Sequence, residues 1–417
     1  MEEKGQVNVA ARSEIEEGWV ARARTLRPVL HEAASRIDAD CALPPEVLDA
    51  LFEARMFRMF LPHTFGGAEL EPATFFQVVC EIAAGDASAA WCVAQSSGCS
   101  MSAAYMEPAA AHRVFGDSRA ALAWGYSMGP QCRATPVPGG WRVTGTWGFG
   151  SGNRHATWVG AHCHRTDEAG ELLKQPDGRP LERTMLIPRS SVTIKQDSWH
   201  VVGLRGTGSD TYSVTDLFVP AEFSLVPRAT ARDHHLPEGA SPELEPERRE
   251  TGPLYRMAPM NVYQAGFAGV GLGVARATLD AFVELASKKT PSGSGNPLRA
   301  DGWIQSRIAL SEARLQSARA WIIAILREMW SECCAGQIGF GTRVQLRLAS
   351  TYAIHEAREV VHASYADAGA TAIFEANPFE RRLRDINAVS QQVQANFSHL
   401  QTVGQYYLGL EPGLRFI

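Results

Sequence analysis

The spacing of apolar residues along this 417-residue chain changes twice, from a helical period to a strand period and back again. Up to about residue 120, apolar side chains recur at helical intervals, as in Leu43–Phe57 and in Phe75–Ser97, which a Gly-Asp pair interrupts. Beyond that point they alternate in short runs, and in Gly140–Phe149 this alternation places Trp147 and Phe149 on one face. After about residue 253 the helical period returns. The pattern predicts an α+β protein in the order helices, strands, helices.

The predicted domains follow these changes of period. An N-terminal α-helical domain is expected over residues 1–120 and a small antiparallel β-barrel domain over residues 121–228, because the strands are short and closely spaced. Residues 229–253 are rich in Pro, Glu and Arg and are expected to form a flexible linker. Residues 254–417 are expected to form a C-terminal four-helix bundle. The predicted bundle helices are Leu272–Ser287, Trp303–Cys333, Arg343–Asp367 and Phe379–Leu408.

Charge and cysteine content exclude several classes of function. The net charge is −5 with no block of Lys or Arg, so neither a nucleic acid nor an anionic membrane surface is an expected partner. The eight cysteines form no Cys-x-x-Cys pair, which favours a reduced, cytoplasmic location. The acidic N-terminus lacks the apolar core of a secretory signal. The long uncharged run between Arg256 and Arg276 carries a proline and four glycines, which favours a buried core helix over a membrane span.

Two histidine patterns could in principle bind metal. His162 and His164 share one face of a predicted strand, either as metal ligands or as two half-exposed strand histidines. Glu359 and His362 match half of the di-iron signature of helical bundles, but no other histidine of the chain has a glutamate three residues before it. We therefore expect no metal site.

Two glycine-rich segments lie among the predicted strands. Gly203–Ser209 (GLRGTGS) could bind phosphate through its backbone or form a structural turn, but it opens no helix, as a dinucleotide-binding loop requires. The segment Trp147–Trp158 (WGFGSGNRHATW) also opens no helix. Its small residues allow a planar group to approach the backbone, so Trp147 is either an aromatic platform for such a group or a core side chain.

An ordered set of motifs resembles the acyl-CoA dehydrogenase superfamily, and within it the flavin-dependent monooxygenases. The motifs are W-x-F-x-S-G-x-x-x-A-x-W at Trp147–Trp158, W-x-x-x-G-L-R-G-T-G-S at Trp199–Ser209 and D-x-F-V-P at Asp216–Pro220. The similarity runs from about Leu43 to Pro412, which is nearly the whole chain. The resemblance implies a helical domain, a β-domain and a four-helix bundle, assembled as a homotetramer.

The resemblance also implies where a flavin binds, between the β-domain and the bundle. Carried over residue by residue, Trp147 would pack on the flavin, while Ser151 and Gly152 would supply close polar and backbone contacts. Ser127 matches a family serine near the reactive edge of the flavin, as a cofactor-binding and catalytic residue. Arg256 is the expected cation that stabilises the anionic reduced flavin.

Two further positions concern the substrate pocket and the type of reaction. Trp91 matches an aromatic residue that walls the substrate pocket. The chain lacks the Tyr-Glu-Gly-Thr turn that carries the catalytic glutamate in dehydrogenases, and it also lacks their FAD-binding Arg-x-Gln-Phe-Gly segment. Without a positioned carboxylate, no obvious base removes the α-proton of a thioester. Both absences favour the oxygenase branch and FMN, with FAD as the alternative.

The catalytic base is the main departure from the phenol-hydroxylating relatives. Where those members have histidines, this chain has Cys99 in the pocket and Gln392 near the C-terminus. A neutral amide cannot take a phenolic proton, so either another histidine, His155 or His399, assists, or the substrate needs no base. An amine or a sulfur atom would be such a substrate.

These observations predict the oxygenase component of a two-component monooxygenase. The resemblance implies that a separate flavin reductase supplies reduced FMN and that a flavin C4a-hydroperoxide transfers one oxygen atom to a small aromatic, amine or sulfur substrate. Ser127, Gln392 and Arg256 are the predicted catalytic residues. The alternatives are an FAD-dependent dehydrogenase of acyl-CoA or carrier-bound acyl groups and a flavin-free binding module.

Overall fold

The structure, a computed structural model, describes residues 2–175, 178–196, 198–226, 248–293 and 295–410, with side chains from residue 13 onward. The N-terminal part is helical, as predicted. Its helices are α1 (Glu2–Arg24), α2 (Arg27–Asp40), α3 (Pro45–Glu53), α4 (Pro72–Gly85), α5 (Ala87–Ser100) and α6 (Pro108–Phe115). Prolines occupy the first turn of α3, α4 and α6, where the missing N–H has no helical partner to lose.

The predicted interruption between α4 and α5 has a clear physical cause. Asp86 adopts an extended backbone, and its side chain accepts a hydrogen bond from the N–H of Ala89 at 2.8 Å. The carboxylate therefore caps the N-terminus of α5, where unpaired N–H groups need an acceptor. The cap fixes the direction in which α5 runs towards the β-domain.

The middle part is an eight-stranded sheet. Its strands are β1 (Leu122–Ser127), β2 (Arg133–Val137), β3 (Gly140–Gly148), β4 (Trp158–Arg165), β5 (Glu182–Pro188), β6 (Thr193–Lys195), β7 (Thr211–Pro220) and β8 (Ser224–Leu225). The strand order is β6-β7-β3-β1-β4-β5-β8, and β2 pairs with β3 and β4.

The sheet is mixed, so the prediction of a purely antiparallel barrel was wrong. Strand β4 runs parallel to both β1 and β2, while the other pairs are antiparallel. The chain between β1 and β4 contains β2 and β3, which makes it long enough for a parallel crossover. Alternation of apolar residues shows which face of a strand is buried but carries no information on the direction of its neighbour.

The C-terminal part consists of long helices. They are α7 (Pro259–Lys288), α8 (Gly302–Ala335), α9 (Phe340–Ala368), α10 (Phe379–Ser390) and α11 (Ser398–Tyr407). Helix α7 is long and apolar enough to cross a membrane, but most of its apolar stretch is buried against α4, α5 and α9, in agreement with the predicted core helix. Residues 229–247, which are most of the predicted linker, lie outside the described residues.

The predicted fourth bundle helix, Phe379–Leu408, is broken into α10 and α11. Between them, Gln392 takes an extended backbone with ψ of 151°, and its side-chain oxygen accepts from the N–H of Gln394 at 2.7 Å. This contact caps a short 3₁₀ turn, Val393–Ala395, and stops the helix from continuing. The helical period of the sequence did not reveal the break, because a side-chain cap leaves no trace in apolar spacing.

The close packing of α7 on α4 depends on Gly273. A Cβ atom at this position would lie 2.4 Å from the carbonyl oxygen of Cys80 and 2.6 Å from the Cβ of Ala83. The substitution Gly273→Ala is expected to lower the free energy of unfolding by about 1–3 kcal/mol, because the two backbones must separate. Chemical denaturation of both proteins measures the change.

Gly404→Ala is the matched control. Gly404 also lies inside a helix, but its Cβ would meet nothing within 4 Å. Because alanine has the higher helix propensity, this variant should be as stable as the wild type or up to about 1 kcal/mol more stable. Equal stability of Gly273→Ala and the wild type would contradict the proposed contact.

Candidate active site

A cavity of about 1040 Å³ lies where α5, the sheet and helices α7 and α10 meet. We refer to it as the large cavity. Its walls are formed mainly by aromatic and aliphatic side chains, together with serine, threonine and glutamine groups and the segment Trp199–Ser209. Its lining residues include no Asp or Glu. A cavity of this size and character is typical of an organic ligand or cofactor site.

Phe149 provides an exposed aromatic face in the large cavity. Its side chain is 64% exposed, and its ring meets that of Trp199 edge to face at a centroid distance of 5.9 Å. Strand β3 ends at Gly148, and Phe149 has a φ of 56°, in the left-handed region that non-glycine residues rarely adopt. The chain turns at this residue, and the ring consequently points away from the sheet interior.

Trp147 does not line the cavity, which corrects the prediction that it packs on a flavin. Its side chain is fully buried in the core of the β-domain, stacked on Tyr212 at 5.6 Å. Its indole N–H donates to the backbone carbonyl of His162 at 2.8 Å. Residues two apart share a face only while the strand stays extended, and the turn at Phe149 ends that relation. Trp147 is therefore a core residue. Phe149 is the aromatic residue of this segment that lines the cavity, which the alternating pattern did not indicate.

Ser151 and Trp91 come together in the lining of the large cavity. The indole N–H of Trp91 donates to the Ser151 hydroxyl at 3.1 Å, and the Trp91 ring stacks on Phe267 at 4.0 Å. The Ser151 hydroxyl also lies 2.8 Å from that of Ser209, which in turn lies 2.7 Å from the hydroxyl of Thr207. The segment Gly203–Ser209 is thus a structural turn that carries hydroxyl groups into the wall.

This turn is anchored to α10. The side chain of Asp385 accepts from the N–H of Leu204 at 2.7 Å, and a Cβ at Gly203 would lie 2.1 Å from the Arg384 carbonyl oxygen. Asp385 is buried, and its burial, together with the nearby carboxylate of Asp86, raises the pKa of Asp385 to about 7. The position of the cavity wall is therefore coupled to a carboxyl group that titrates near neutral pH.

Of the remaining cofactor predictions, Gly152 and Arg256 lie outside the cavity lining. Gly152 has a φ of 82°, and its N–H donates to the Thr207 carbonyl at 3.0 Å, so it shapes the turn after Ser151. The guanidinium of Arg256 donates to the carbonyl of Cys333 at the end of α8. The prediction that Arg256 faces the flavin is therefore wrong, because its short 3₁₀ turn directs it towards the bundle.

Another buried cation lies directly behind the large cavity. The side-chain oxygen of Gln394, a lining residue, accepts from the guanidinium of Arg347, and the Gln394 amide nitrogen lies 2.8 Å from the sulfur of Met260. Arg347 is fully buried, and burial lowers its pKa to about 9. It is consequently still charged at neutral pH. Arg347 lies on the buried face of α9. No sequence motif indicated this residue.

Phenol-hydroxylating relatives have histidines at two positions, which this chain fills with Gln392 and Cys99. Only one of these two residues lines the large cavity. Gln392 lines the large cavity, as predicted. Cys99 does not, because it is fully buried behind Tyr263, with its sulfur 3.6 Å from the tyrosine hydroxyl. Burial raises the pKa of the Cys99 thiol to about 12, so it cannot act as a base.

The two alternative bases that the sequence suggested do not line the large cavity either. His155 is packed against Phe57 at a ring distance of 5.5 Å, and His399 bonds through Nε2 to the Val393 carbonyl at 2.6 Å. Burial lowers the pKa of each imidazole to about 4. Neither histidine lines either of the two cavities described in this section.

A second cavity of about 520 Å³, which we call the small cavity, adjoins the large one. The two share a dividing wall. It consists of Trp124, Tyr126, His162, Met260 and Tyr263. Ser127 lines the small cavity and not the large one, and its hydroxyl donates to the Gly129 carbonyl at 3.2 Å. The structure thus places Ser127 on the opposite side of this wall from Ser151.

The metal-binding alternatives find no support in the geometry. In the part of the chain that the structure describes, no three His, Cys, Asp or Glu side chains converge. His162 bonds through Nδ1 to the Thr184 hydroxyl at 2.8 Å, and His164 lies 3.8 Å from a carboxylate oxygen of Glu182. His362 is paired with Asn387 on the bundle surface.

Comparison with known proteins agrees with this architecture. The family model "Acyl-CoA dehydrogenase, N-terminal domain" matches residues 21–113, and "Acyl-CoA dehydrogenase, C-terminal domain" matches residues 265–397. The chain is 30% identical to an indole-3-acetate monooxygenase from Pseudomonas putida, over 88% of this chain and 87% of the relative. It is 28% identical to an FADH2-dependent resorcinol hydroxylase, oxygenase component, from Rhizobium sp. (strain MTP-10005), over 94% of each chain.

Among solved structures, the chain is similar to the 3-HSA hydroxylase from Rhodococcus sp. RHA1, with a TM-score of 0.82 and 27% identity. This similarity covers 95% of the present chain and 98% of the other. The chain belongs to the acyl-CoA dehydrogenase superfamily. Within it, the chain is similar to the oxygenase subunits of two-component monooxygenases, and it is a flavin-dependent oxidoreductase.

The raised pKa of Asp385 predicts a pH-dependent stability. Because the folded state favours the protonated carboxyl, the free energy of unfolding should fall as the pH rises from about 4 to about 7. The substitution Asp385→Asn keeps an oxygen that can accept from Leu204 but cannot ionise. Urea denaturation at pH 5 and pH 8 should therefore show a smaller loss of stability in this variant than in the wild type. Asp49→Asn, at an exposed position, serves as the control, and an equal pH dependence in all three proteins would contradict the assignment.

Proposed function

We propose that the chain is the oxygenase component of a two-component flavin-dependent monooxygenase. It would bind reduced flavin from a separate reductase in the large cavity and transfer one oxygen atom of O2 to a small aromatic, amine or sulfur substrate. The main observation in favour is an aromatic cavity of about 1040 Å³, at the junction of the sheet and the C-terminal helices, whose lining has no carboxylate. The relatives named above support the same reaction class.

The residues of the large cavity suit a flavin ring. Phe149 and Trp199 offer flat aromatic surface, and the hydroxyl of Ser151 and the amides of Gln392 and Gln394 offer polar contacts for ring heteroatoms. When bound, reduced flavin supplies the electrons that activate O2. The protein would contribute orientation, hydrogen bonds and the exclusion of water.

The buried guanidinium of Arg347 would take over the role that the resemblance gave to Arg256. It holds Gln394 in the cavity wall and places a positive charge behind it. A fixed cation near a flavin favours its anionic reduced form, because the charge lies in a poorly hydrated region. This contribution would favour reduced over oxidised flavin.

The dehydrogenase alternative has weaker support. That reaction needs a carboxylate beside the substrate to remove a proton from carbon, and the lining of the large cavity contains none. Glu182 lines the small cavity, but its side chain is 52% exposed and lies near His164. Glu182 therefore lies outside the large cavity and open to solvent, where it is not placed as the base of that reaction.

Flavin type, assembly and location complete the proposal. We propose FMN as the flavin, with FAD as the alternative. The name of the FADH2-dependent relative favours FAD. A homotetramer would bury exposed apolar side chains of α8 such as Trp303 and Leu310, which are 67% and 55% exposed. A cytoplasmic location agrees with eight free cysteines and with the need for a reductase.

Anaerobic titration with reduced and oxidised FMN and FAD tests the proposed function. We expect micromolar or tighter binding of a reduced flavin and weaker binding of its oxidised form. With a flavin reductase, NADH and ¹⁸O2, indole-3-acetate and resorcinol serve as probe substrates, and one ¹⁸O atom per product molecule is expected. Failure to bind either reduced flavin would overturn the proposal. Bleaching of bound oxidised FAD by an acyl-CoA without reductase would favour the dehydrogenase.

The exchanged roles of Phe149 and Trp147 give a sharper test. Phe149→Ala should raise the dissociation constant of reduced flavin roughly tenfold with little change in stability, because the ring is exposed in the cavity. Trp147→Ala should instead lower the free energy of unfolding by about 3–5 kcal/mol, as for other buried aromatic residues. Phe218→Ala is the matched control, since Phe218 is 43% exposed on β7 and lines neither cavity. Unchanged flavin affinity in Phe149→Ala would contradict this assignment.

A further inference from the structure

We propose that the small cavity is the substrate chamber and that His162 recognises the substrate, by accepting a hydrogen bond from an O–H or N–H group on an aromatic ring. This inference rests on the proposed function and deepens it, because it names a substrate class and a residue that orients the substrate. It also gives a physical account of how the chain manages without histidines at positions 99 and 392.

The position of His162 is the first argument. The residue lines both cavities and belongs to the wall that divides them. Its backbone is fixed because its carbonyl accepts from the indole of Trp147 at 2.8 Å, and β4 pairs His162 directly with Thr184 on β5. The imidazole is therefore held at the boundary between the proposed flavin site and the space beside it.

The hydrogen bonding of the ring is the second argument. Nδ1 lies 2.8 Å from the Thr184 hydroxyl, so Nε2 is the nitrogen left for a ligand. The Trp124 ring lies 5.3 Å from the imidazole and limits its rotation. An imidazole whose Nδ1 donates to Thr184 presents an acceptor lone pair at Nε2, as binding of an O–H or N–H group requires.

The charge state decides between recognition and proton abstraction. Burial lowers the pKa of His162 to about 4, so the ring is neutral at physiological pH and can accept a hydrogen bond. The same low basicity disfavours complete proton transfer from a phenol, whose pKa is near 10. His162 is therefore assigned the role of binding and orienting the substrate.

The rest of the small cavity fits an aromatic ligand with polar groups. Trp124, Tyr126 and Tyr263 supply aromatic walls. The hydroxyl of Ser102, in a side chain that is 9% exposed, has no hydrogen-bond partner among the described residues, and the same is true of Nδ1 of His164. Buried polar atoms normally have partners, and both residues line this cavity, so a ligand is the simplest source of the missing hydrogen bonds.

Binding of two matched probe pairs tests the inference on the full-length protein. The pairs are indole with 1-methylindole and phenol with anisole, which differ in the hydrogen-bond donor. Equilibrium dialysis without flavin should show that the wild type binds the donor-bearing member of at least one pair about tenfold or more tightly, since a buried acceptor left unpaired is costly. In His162→Leu this ratio should fall to near one, and in His162→Gln it should be partly retained through the amide oxygen.

Two controls make the result decisive. His112→Leu removes an exposed histidine of α6 that lines neither cavity, and it should keep the wild-type ratio. Thermal unfolding identifies any variant that fails to fold, and the conservative His162→Gln then carries the test. Absence of a preference in the wild type for either pair, or an unchanged preference in both His162 variants, would overturn the inference.

The proposed function is separated from this inference by measuring reduced FMN binding in the same proteins. The control His112→Leu should bind reduced FMN within about threefold of the wild type. In His162→Leu, the KM for a donor-bearing substrate should rise while kcat changes less. If the wild type binds no reduced flavin, the monooxygenase proposal fails while the dialysis result still stands. If flavin binds normally and the ratio is insensitive to residue 162, only the substrate assignment fails.

Discussion

The hydrogen bond from the indole of Trp147 to the carbonyl of His162 links the two sides of the site. The Trp147 side chain is fully buried, so loss of its indole would leave the His162 carbonyl without this partner, at a cost of about 1–3 kcal/mol. On one side, β3 ends immediately after Trp147 and turns outward at Phe149. On the other side, β4 carries the imidazole of His162 into the wall between the cavities. A core contact thereby fixes the distance between the proposed flavin surface and the proposed substrate chamber.

The large cavity exists because three elements stop there instead of continuing. Strand β3 ends at Gly148 and helix α10 ends at Ser390. The segment Trp199–Ser209 turns at the same place and lines the cavity. Two of these places are held by specific polar contacts, the cap of the Gln394 N–H by the Gln392 side chain and the bond from the Leu204 N–H to Asp385, so the cavity does not depend on apolar packing alone. Aromatic side chains can then remain exposed towards a ligand without being drawn into the core.

The order of the three structural parts could be predicted from apolar periodicity, because long helices and alternating strands have strong local signatures. Three residues that the resemblance singled out, Trp91, Ser151 and Gln392, line the large cavity, and their roles there stay predictions. The resemblance failed for Trp147 and Arg256, whose directions depend on a left-handed residue and on a short 3₁₀ turn. The parallel pairing in the sheet and the break after α10 were also missed, since neither strand direction nor a side-chain cap affects the period of apolar residues.

The residues of the dividing wall offer hydrogen bonds to a substrate at positions other than those of the expected bases. Polar groups reach the wall from β1, β4 and α7, so a hydrogen-bond acceptor need not come from α5 or from the turn after α10, where the resemblance places histidines in phenol-hydroxylating members. Cys99 could not serve in any case, because Tyr263 stands between its sulfur and the cavity. His162 on β4 is proposed to bind and orient the substrate, and its lowered pKa disfavours the role of base. The backbone of His162 is fixed by the pairing of β4 with its neighbouring strands. The segment around Gln392, in contrast, is a short turn after a helix end, so a side chain on β4 is held more rigidly.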